Sequence, residues 1–341
     1  MVQIDDIKRI IQNFFDQGTV TIVGSGLSCA EGISGMSGLS IKLIKDVPNM
    51  ISVESQKCWD KIVEKLNEGL DLESVLQKNI VTDEIEKAVV NSVYNLISSE
   101  NLNIFTQIVE DGRRLKFSDY LDCFNIDLYN LVVITTNYDL LIEYACEIAG
   151  VEYTDSYHGK IISKFAPELA EREMIKGVRR GKSAINEYKR HIKLYKPHGS
   201  INWKILKGNL YRINNHNCGV PCIITPGSKK YEKGYEVPFD YHISKMGQEI
   251  DNSKRLIFIG YGFNDSHLET HLIKTNNTSK PQLILTRTLS DRARQIVKNN
   301  TNAIAIESNG SSGSKIYIEQ ECYEVHDKML WDISELIKEV F

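Results

Sequence analysis

The sequence predicts an α/β protein built on a Rossmann-like, doubly wound parallel sheet, and three observations carry that prediction. Short apolar runs such as "LVVIT" (131–135), "RLIFI" (255–259) and "PQLILT" (281–286) have the length and β-branched content of strands buried on both faces. Segments of helical periodicity separate them, the alternation that gives parallel strands joined by right-handed crossovers. The first strand runs directly into a glycine turn, "VTIVGSGLSCAEG" (20–32), which is how a phosphate-binding strand, turn and helix unit opens.

Taken in order, a helix over about 4–16, acidic in its first turn, leads into a strand at Thr19–Val23 and then the glycine turn. From about 40 to 125 the pattern is helical, with Asn, Glu and Lys on the polar faces, and reads as an insertion. The strand at 131–135 follows, then a polar turn and an amphipathic helix. Residues 158–190, charged and helical in pattern, read as a second insertion. "IKLYKPHGSINW" (192–203) restarts the sheet, and "PCIITP" (221–226), "RLIFIGYGF", "PQLILT" and "NAIAIE" (302–307) supply four more strands. Helices are expected at about 240–252, 265–276 and 289–299. A Gly/Ser-rich loop at 308–314 precedes a short strand and a C-terminal helix over about 324–340. With no low-complexity linker, residues 1–341 read as a single domain.

Hydrophobic residues at 42% and charged residues at 25% match an ordinary soluble globular protein and exclude disordered and fibrous classes. A net charge of -4 argues against direct nucleic-acid binding. The local exception is Lys176, Arg179, Arg180, Lys182, Lys189, Arg190 and Lys193, which read as a solvated helix face. The seven cysteines contain one close pair, Cys218 and Cys222, and no second pair at metal-ligand spacing, so no metal is expected. No apolar run approaches the roughly 18 residues that span a membrane, and the N-terminus does not read as a signal peptide. A reducing, cytoplasmic location is the expectation.

Four polar or glycine clusters follow predicted strands. Gly24, Ser25, Gly26 and Ser28 lie in the first turn, and Thr136, Asn137 and Asp139 in "TTNYD". His198 stands in "KPHGS", and Gly260, Gly262, Phe263 and Asp265 in "GYGFND". Each has a bland reading alone: a tight turn without ligand, helix caps at Asn137, Asp139 or Asp265, a structural histidine. Together they have a sharper one, because the carboxyl ends of parallel strands converge on one rim, where open α/β sheets bind ligands. The G-x-G-x5-G spacing departs from the dehydrogenase fingerprint.

In order and wording, "GSGLSCAEGI", "TTNYD", "KPHGS" and "GYGF" resemble the GAGIS, TQNxD, HG and GTS segments of the sirtuin family, and more closely a divergent bacterial sirtuin-like group. The resemblance spans residues 20–267. It implies a sirtuin-like NAD+ pocket in which Asn137 contacts the nicotinamide ribose and orients a water, Asp139 supports that loop and His198 is the base. Gly24, Ser25, Gly26 and Ser28 would line the pyrophosphate, and Gly260, Gly262 and Thr286 the adenosine side, with Thr136, Phe263 and Asp265 on the same cofactor-binding rim. Two departures matter. Ser34, Gly35, Met36 and Ser37 stand where deacylases carry Pro-Asp-Phe-Arg, and the family's zinc ribbon is absent.

Sirtuin-like bacterial proteins lacking those parts resemble NAD+ hydrolases of anti-phage defence. The expectation is therefore an NADase that depletes NAD+ in abortive infection, using NAD+ as substrate and no metal. It would be gated by homo-oligomer assembly, a HerA-like partner ATPase, an Argonaute-like protein or a phage trigger protein. The rival readings are a deacylase or ADP-ribosyltransferase, and a non-catalytic NAD or ADP-ribose sensor. His158, also before a glycine, competes with His198 for the catalytic role.

Overall fold

The structure, a computed structural model, describes residues 4–79, 81–125, 130–180, 183–215, 218–227, 234–265, 270–272 and 280–341. In chain order the strands are β1 (Thr19–Val23), β2 (Leu131–Thr135), β3 (Glu152–Thr154), β4 (Tyr157–His158), β5 (Ile162–Phe165), β6 (Ile175–Arg180), β7 (Ser183–Tyr188) and β8 (His191–Tyr195). They continue with β9 (Gly199–Leu206), β10 (Asn209–Ile213), β11 (Val220–Ile223), β12 (Arg255–Ile259), β13 (Gln282–Leu285), β14 (Ala303–Asn309), β15 (Gly313–Ile318) and β16 (Glu321–Val325).

Nine of them form the central sheet, in the order β16-β15-β14-β13-β12-β1-β2-β8-β3. Every pairing from β14 to β3 is parallel. Only the edge hairpin of β15 and β16 runs antiparallel. The chain leaves β1 toward β2, β8 and β3 on one side, then returns to β12 and proceeds through β13 and β14 on the other. The order reverses between β1 and β12, and a crevice opens at the carboxyl ends of such a pair.

Alternation along each strand explains why both faces are covered. Val20 and Ile22 of β1, Val132 and Ile134 of β2, and Leu256 and Phe258 of β12 share a core with Met246 and Ile250 of the helix Phe239–Asn252 and with Ala293 and Val297 of the helix Asp291–Asn299. Val23, Leu131, Val133, Ile257 and Ile259 point the other way, into a larger core. That core also holds Ile7 and Ile11 of the first helix, Trp59 and Ile62 of Val53–Asn67, and Val89 and Val93 of Asp83–Asp111. Each fully buried Ile or Val is worth about 1.5–3 kcal/mol. A one-residue slip would exchange the two faces, so the register is strongly specified.

The expected helical stretch of 40–125 is helical, built from Met36–Asp46, Val53–Asn67, Leu72–Lys78, Asp83–Asp111 and Lys116–Asp122. The stretch 158–190 is not. Its described residues hold β4 to β7 and one short helix, Pro167–Glu173; of the cations read as a helix face, Lys176, Arg179 and Arg180 lie on β6 and Lys189, Arg190 and Lys193 follow β7, while Lys182 lies outside the described residues. Charge density masked the extended pattern of Ile175 and its β-branched neighbours, and two of the cations, Lys189 and Lys193, are paired with Glu152 and Glu249.

"SINW" and "PCI" also leave the central sheet: β9 and β11 join β10, β5 and β4 in a five-stranded antiparallel sheet. Its core is Tyr157, Trp203, Cys222, Ile224 and Phe239. The first helix stops at Gln12, and the C-terminal helix is Ile333–Val340, because residues 321–325 pair as β16. Most of the expected loop 308–314 belongs to the β14–β15 hairpin. The expected helix at 265–276 falls largely outside the described residues.

Lys204 of β9 is buried, its ammonium 3.7 Å from the ring centroid of Tyr94 on the long helix Asp83–Asp111. Burial pushes its amine down to about 8. A lysine held below its unfolded value of about 10.4 penalises the fold fully below the folded value, and the penalty fades as pH rises from one to the other. Lys204→Met is therefore expected to raise stability by about 2 kcal/mol at pH 7 and by less at pH 10. Urea denaturation of both chains at the two pH values measures this. A Met variant less stable than wild type at pH 7 would show that the cation–π contact outweighs desolvation.

Candidate functional site

The two loops at the switch point are pressed together. Gly24 N–H donates to Ile259 O and Gly26 N–H to Gly260 O, both at 2.9 Å. A Cβ on Gly24 would lie 2.5 Å from Gly260 O, and one on Gly260 2.5 Å from Leu27 N. Gly260 also has φ +58°, in the left-handed region. The glycines thus serve loop against loop contact, and the N–H groups of Gly24 and Gly26 are engaged by the facing loop. Ser25 and Gly26 remain exposed at the start of the helix Ser25–Glu31.

At the end of β2 a directional hydrogen-bond chain links the "TTNYD" cluster to the glycine turn. Asn137 Nδ2 donates to Gly24 O at 2.9 Å and to Ser28 Oγ at 2.7 Å. Ser28 Oγ in turn donates to Asp139 Oδ2 at 2.7 Å, and Asp139 Oδ1 accepts from Leu141 N at 3.1 Å. A backbone carbonyl only accepts, so the contact with Gly24 O fixes which end of the Asn137 amide is nitrogen. The Asn137 Oδ1 acceptor has no donor among the described residues. Ser28 and Asp139 are buried and Asn137 nearly so. Thr136 N–H donates to Val23 O at 3.4 Å, tying β2 to β1 at the same level.

Beneath this chain lies a buried pair the sequence reading missed. Lys196 is fully buried. Its Nζ donates to Glu143 Oε1 at 2.8 Å and to Asp139 O at 2.5 Å, so the residue two before His198 clamps the "TTNYD" turn. Burial pushes the Glu143 carboxyl up against the pull of Lys196, and Glu143 Oε2 has no partner among the described residues. The Lys196 N–H donates to Nδ1 of His242, whose imidazole burial holds neutral, down to about 3. The available signal was a charged residue inside each of the runs "LLIEYA" and "IKLYKPHG".

His198 completes the rim. Its Nε2 lies 2.7 Å from Asp265 Oδ2, and both side chains are about nine-tenths buried. Asp265, expected among the cofactor contacts, is directed at the histidine instead. The second sheet braces this loop: Ile224 N–H donates to His198 O at 2.9 Å, and Tyr138 OH donates to Ile224 O at 2.7 Å. Phe263 does not line the rim with its side chain. Its ring is 1% exposed and packs against Phe258 and Tyr261 at centroid distances of 4.7 and 5.0 Å. Gly262 is exposed, and Thr286, half-buried at the end of β13, donates to Thr288 O at 3.2 Å. His158 sits elsewhere, on β4, 3.1 Å from Glu173.

Among the described residues, no group of three or more His, Cys, Asp or Glu side chains could hold a metal ion, and no helix is long and apolar enough to cross a membrane. A cavity of about 430 Å³ lies apart from the rim, lined by residues that include Tyr153, Tyr157, Asn202 and Arg212.

A family model described as a SIR2-like domain matches residues 131–304, just over half of the chain. No curated protein matches. Among solved structures, the chain is similar to a Sir2 homologue in complex with NAD, at 10% identity and a TM-score of 0.44, covering 98% of this chain and 92% of that one. It is also similar to a Sir2 enzyme solved for its mechanism and regulation, at 11% identity and a TM-score of 0.47, covering 100% and 97%. A Sir2 homologue mutant in complex with 2'-O-acetyl ADP-ribose gives 11% and 0.46, covering 98% and 95%.

Proposed function

Because the chain belongs to the SIR2-like domain family, we propose that its rim binds NAD+ and hydrolyses the nicotinamide glycosidic bond. What supports this reading is that Asn137 and His198 follow β2 and β8, neighbouring parallel strands of the central sheet, and that each side chain is tied into a carboxylate, Asn137 through Ser28 to Asp139 and His198 to Asp265.

The pyridinium is already a good leaving group. What the site must supply is stabilisation of an oxocarbenium-like ribose and a positioned water. The ribose C1'–N bond breaks, its electron pair leaves with nicotinamide, and water oxygen forms the new bond at C1'. Asn137 Oδ1 accepts a hydrogen bond from that water, and His198 takes the proton it loses, so the products are nicotinamide, ADP-ribose and a proton. Ser28 and Asp139 hold the Asn137 amide in the orientation this requires. The exposed start of the helix Ser25–Glu31, with Gly262 and Thr286 across the crevice, takes the rest of the dinucleotide.

An ungated activity of this kind would exhaust its host's NAD+. The same reading therefore makes the protein a cytoplasmic effector of anti-phage defence, silent until it assembles into a homo-oligomer or meets an activating ATPase, Argonaute-like or phage protein. The test is nicotinamide release from NAD+ by wild type, Asn137→Ala and His198→Ala, with and without an acetylated peptide. Peptide-independent release, reduced about 10²-fold or more by each substitution, is expected. Release that requires the peptide would make the chain a deacylase. Thermal stabilisation by NAD+ without release, even from the assembled protein supplied with an activating partner, would make it a binding module.

A further inference from the structure

We propose that Asp265 sets the tautomer of His198, so that Nδ1, and not Nε2, is the basic nitrogen of the site. An ionised Asp only accepts hydrogen bonds, so the His198 nitrogen 2.7 Å from Asp265 Oδ2 must be the one that carries hydrogen. A neutral imidazole has a single N–H, which leaves the lone pair on Nδ1. Among the described residues nothing hydrogen-bonds to Nδ1, so that lone pair is available to the crevice. The residue's own carbonyl is occupied by Ile224 N–H, which holds the backbone while the carboxylate holds the ring.

The placement of the two residues makes this more than a local contact. His198 follows β8 and Asp265 follows β12, on opposite sides of the switch point. The loop that supplies Asp265 is the one whose Gly260 is clamped against Gly24 and Gly26. One loop thereby closes on the glycine turn and orients the base. Asp265 touches no reacting atom in this scheme and is a positioning residue. A misoriented or wrongly protonated imidazole loses the transition state while leaving ground-state binding largely intact, as a wrong tautomer does in a triad.

The assignment rests on the hydrolase reading only for its activity readout, so the experiment has two independent arms. In the first, the protein is labelled with 15N-histidine and the His198 signals are identified by their loss in His198→Gln. With the imidazole neutral, wild type is expected to show Nε2 protonated and Nδ1 bare. Asp265→Asn, whose amide can donate to Nε2, is expected to shift the proton toward Nδ1, and Asp265→Glu to keep the wild-type pattern. In the second arm, Asp265→Asn is expected to lower kcat for nicotinamide release about 10²-fold with KM little changed. The same substitution on a His198→Ala background should cost nothing further.

A protonated Nε2 that persists in Asp265→Asn overturns the proposal, as does an additive loss in the double variant. If Asp265→Asn does not fold, the Asp265→Glu chain decides: a bare Nδ1 supports the assignment and a protonated one overturns it. A tautomer that shifts in a protein releasing no nicotinamide, even when assembled and supplied with an activating partner, would leave the assignment standing and remove the hydrolase reading.

Discussion

Lys196→Met is expected to destabilise the protein by about 3–5 kcal/mol at pH 7, among the largest effects of any single substitution at the rim. The reason is what remains behind. Glu143 is buried, one of its oxygens has no partner among the described residues, and the other is paired with the Lys196 ammonium. Without that cation, the main opposition to the upward push of burial on the Glu143 carboxyl is gone, and only its own backbone N–H still favours the charged form. The pH dependence follows in sign. A carboxyl whose folded value lies above its unfolded value of about 4.3 favours the fold most below the unfolded value and loses that contribution as pH rises through the folded one.

The gap between variant and wild type should therefore be smaller at pH 5 than at pH 7. Lys196→Met with Glu143→Leu removes both charges and leaves chiefly Asp139 O short of a donor, so the double variant should cost no more than about 1–2 kcal/mol. Urea midpoints at constant m measure all three chains. A single variant within about 1 kcal/mol of wild type would show that the pair does not hold the "TTNYD" turn to the "KPHG" turn.

That buried pair also marks where the sequence stops being legible. Strands buried on both faces, such as "LVVIT" and "RLIFI", carry their whole structural signal in a short apolar run, and both lie at the predicted positions. The positions of Ser28, Asn137, Asp139 and His198 at the rim follow from the same strands, since a residue just past a parallel strand has only one edge to occupy. Partners are another matter. Nothing in "GYGFND" states that Asp265 reaches a histidine 67 residues earlier in the chain, because a side-chain pairing across a crevice is set by tertiary approach and leaves no period. Lys196 stands beside an apolar run, but the carboxylate it meets, Glu143, lies on a different element and leaves no local sequence pattern. The 158–190 stretch failed for a related reason: its Lys and Arg residues suggest a polar helix face, whereas the cross-strand pairing of Ile175 with Tyr188 is non-local. At Gly24 and Gly26 the group that approaches closely is Gly260 of the same chain, a contact that no local pattern in "GSG" encodes.

Gly260→Ala is accordingly expected to cost about 4 kcal/mol, and to do so at the site itself. The added methyl would stand 2.5 Å from Leu27 N and 2.7 Å from the Gly26 backbone, atoms that belong to a packed helix start and have no rotamer to change. Relief must come from the loops moving apart. That strains or breaks the hydrogen bonds from Gly24 and Gly26 to this loop, each worth about 1 kcal/mol, and adds overpacking of about 1–3 kcal/mol. The left-handed backbone, φ +58°, contributes about 1–2 kcal/mol more for any residue with a Cβ. Gly112→Ala separates these contributions. Gly112 ends the long helix with φ +68° and has no atom within 4 Å of a built Cβ, so it bears the conformational cost alone, about 1 kcal/mol. If the two alanine variants prove equally stable in urea, contact between the loops is not what the glycines provide. If Gly260→Ala is the weaker by several kcal/mol, the same displacement carries Asp265 with it. The His198 tautomer and the rate of nicotinamide release should then fail together in that variant, while both survive in Gly112→Ala.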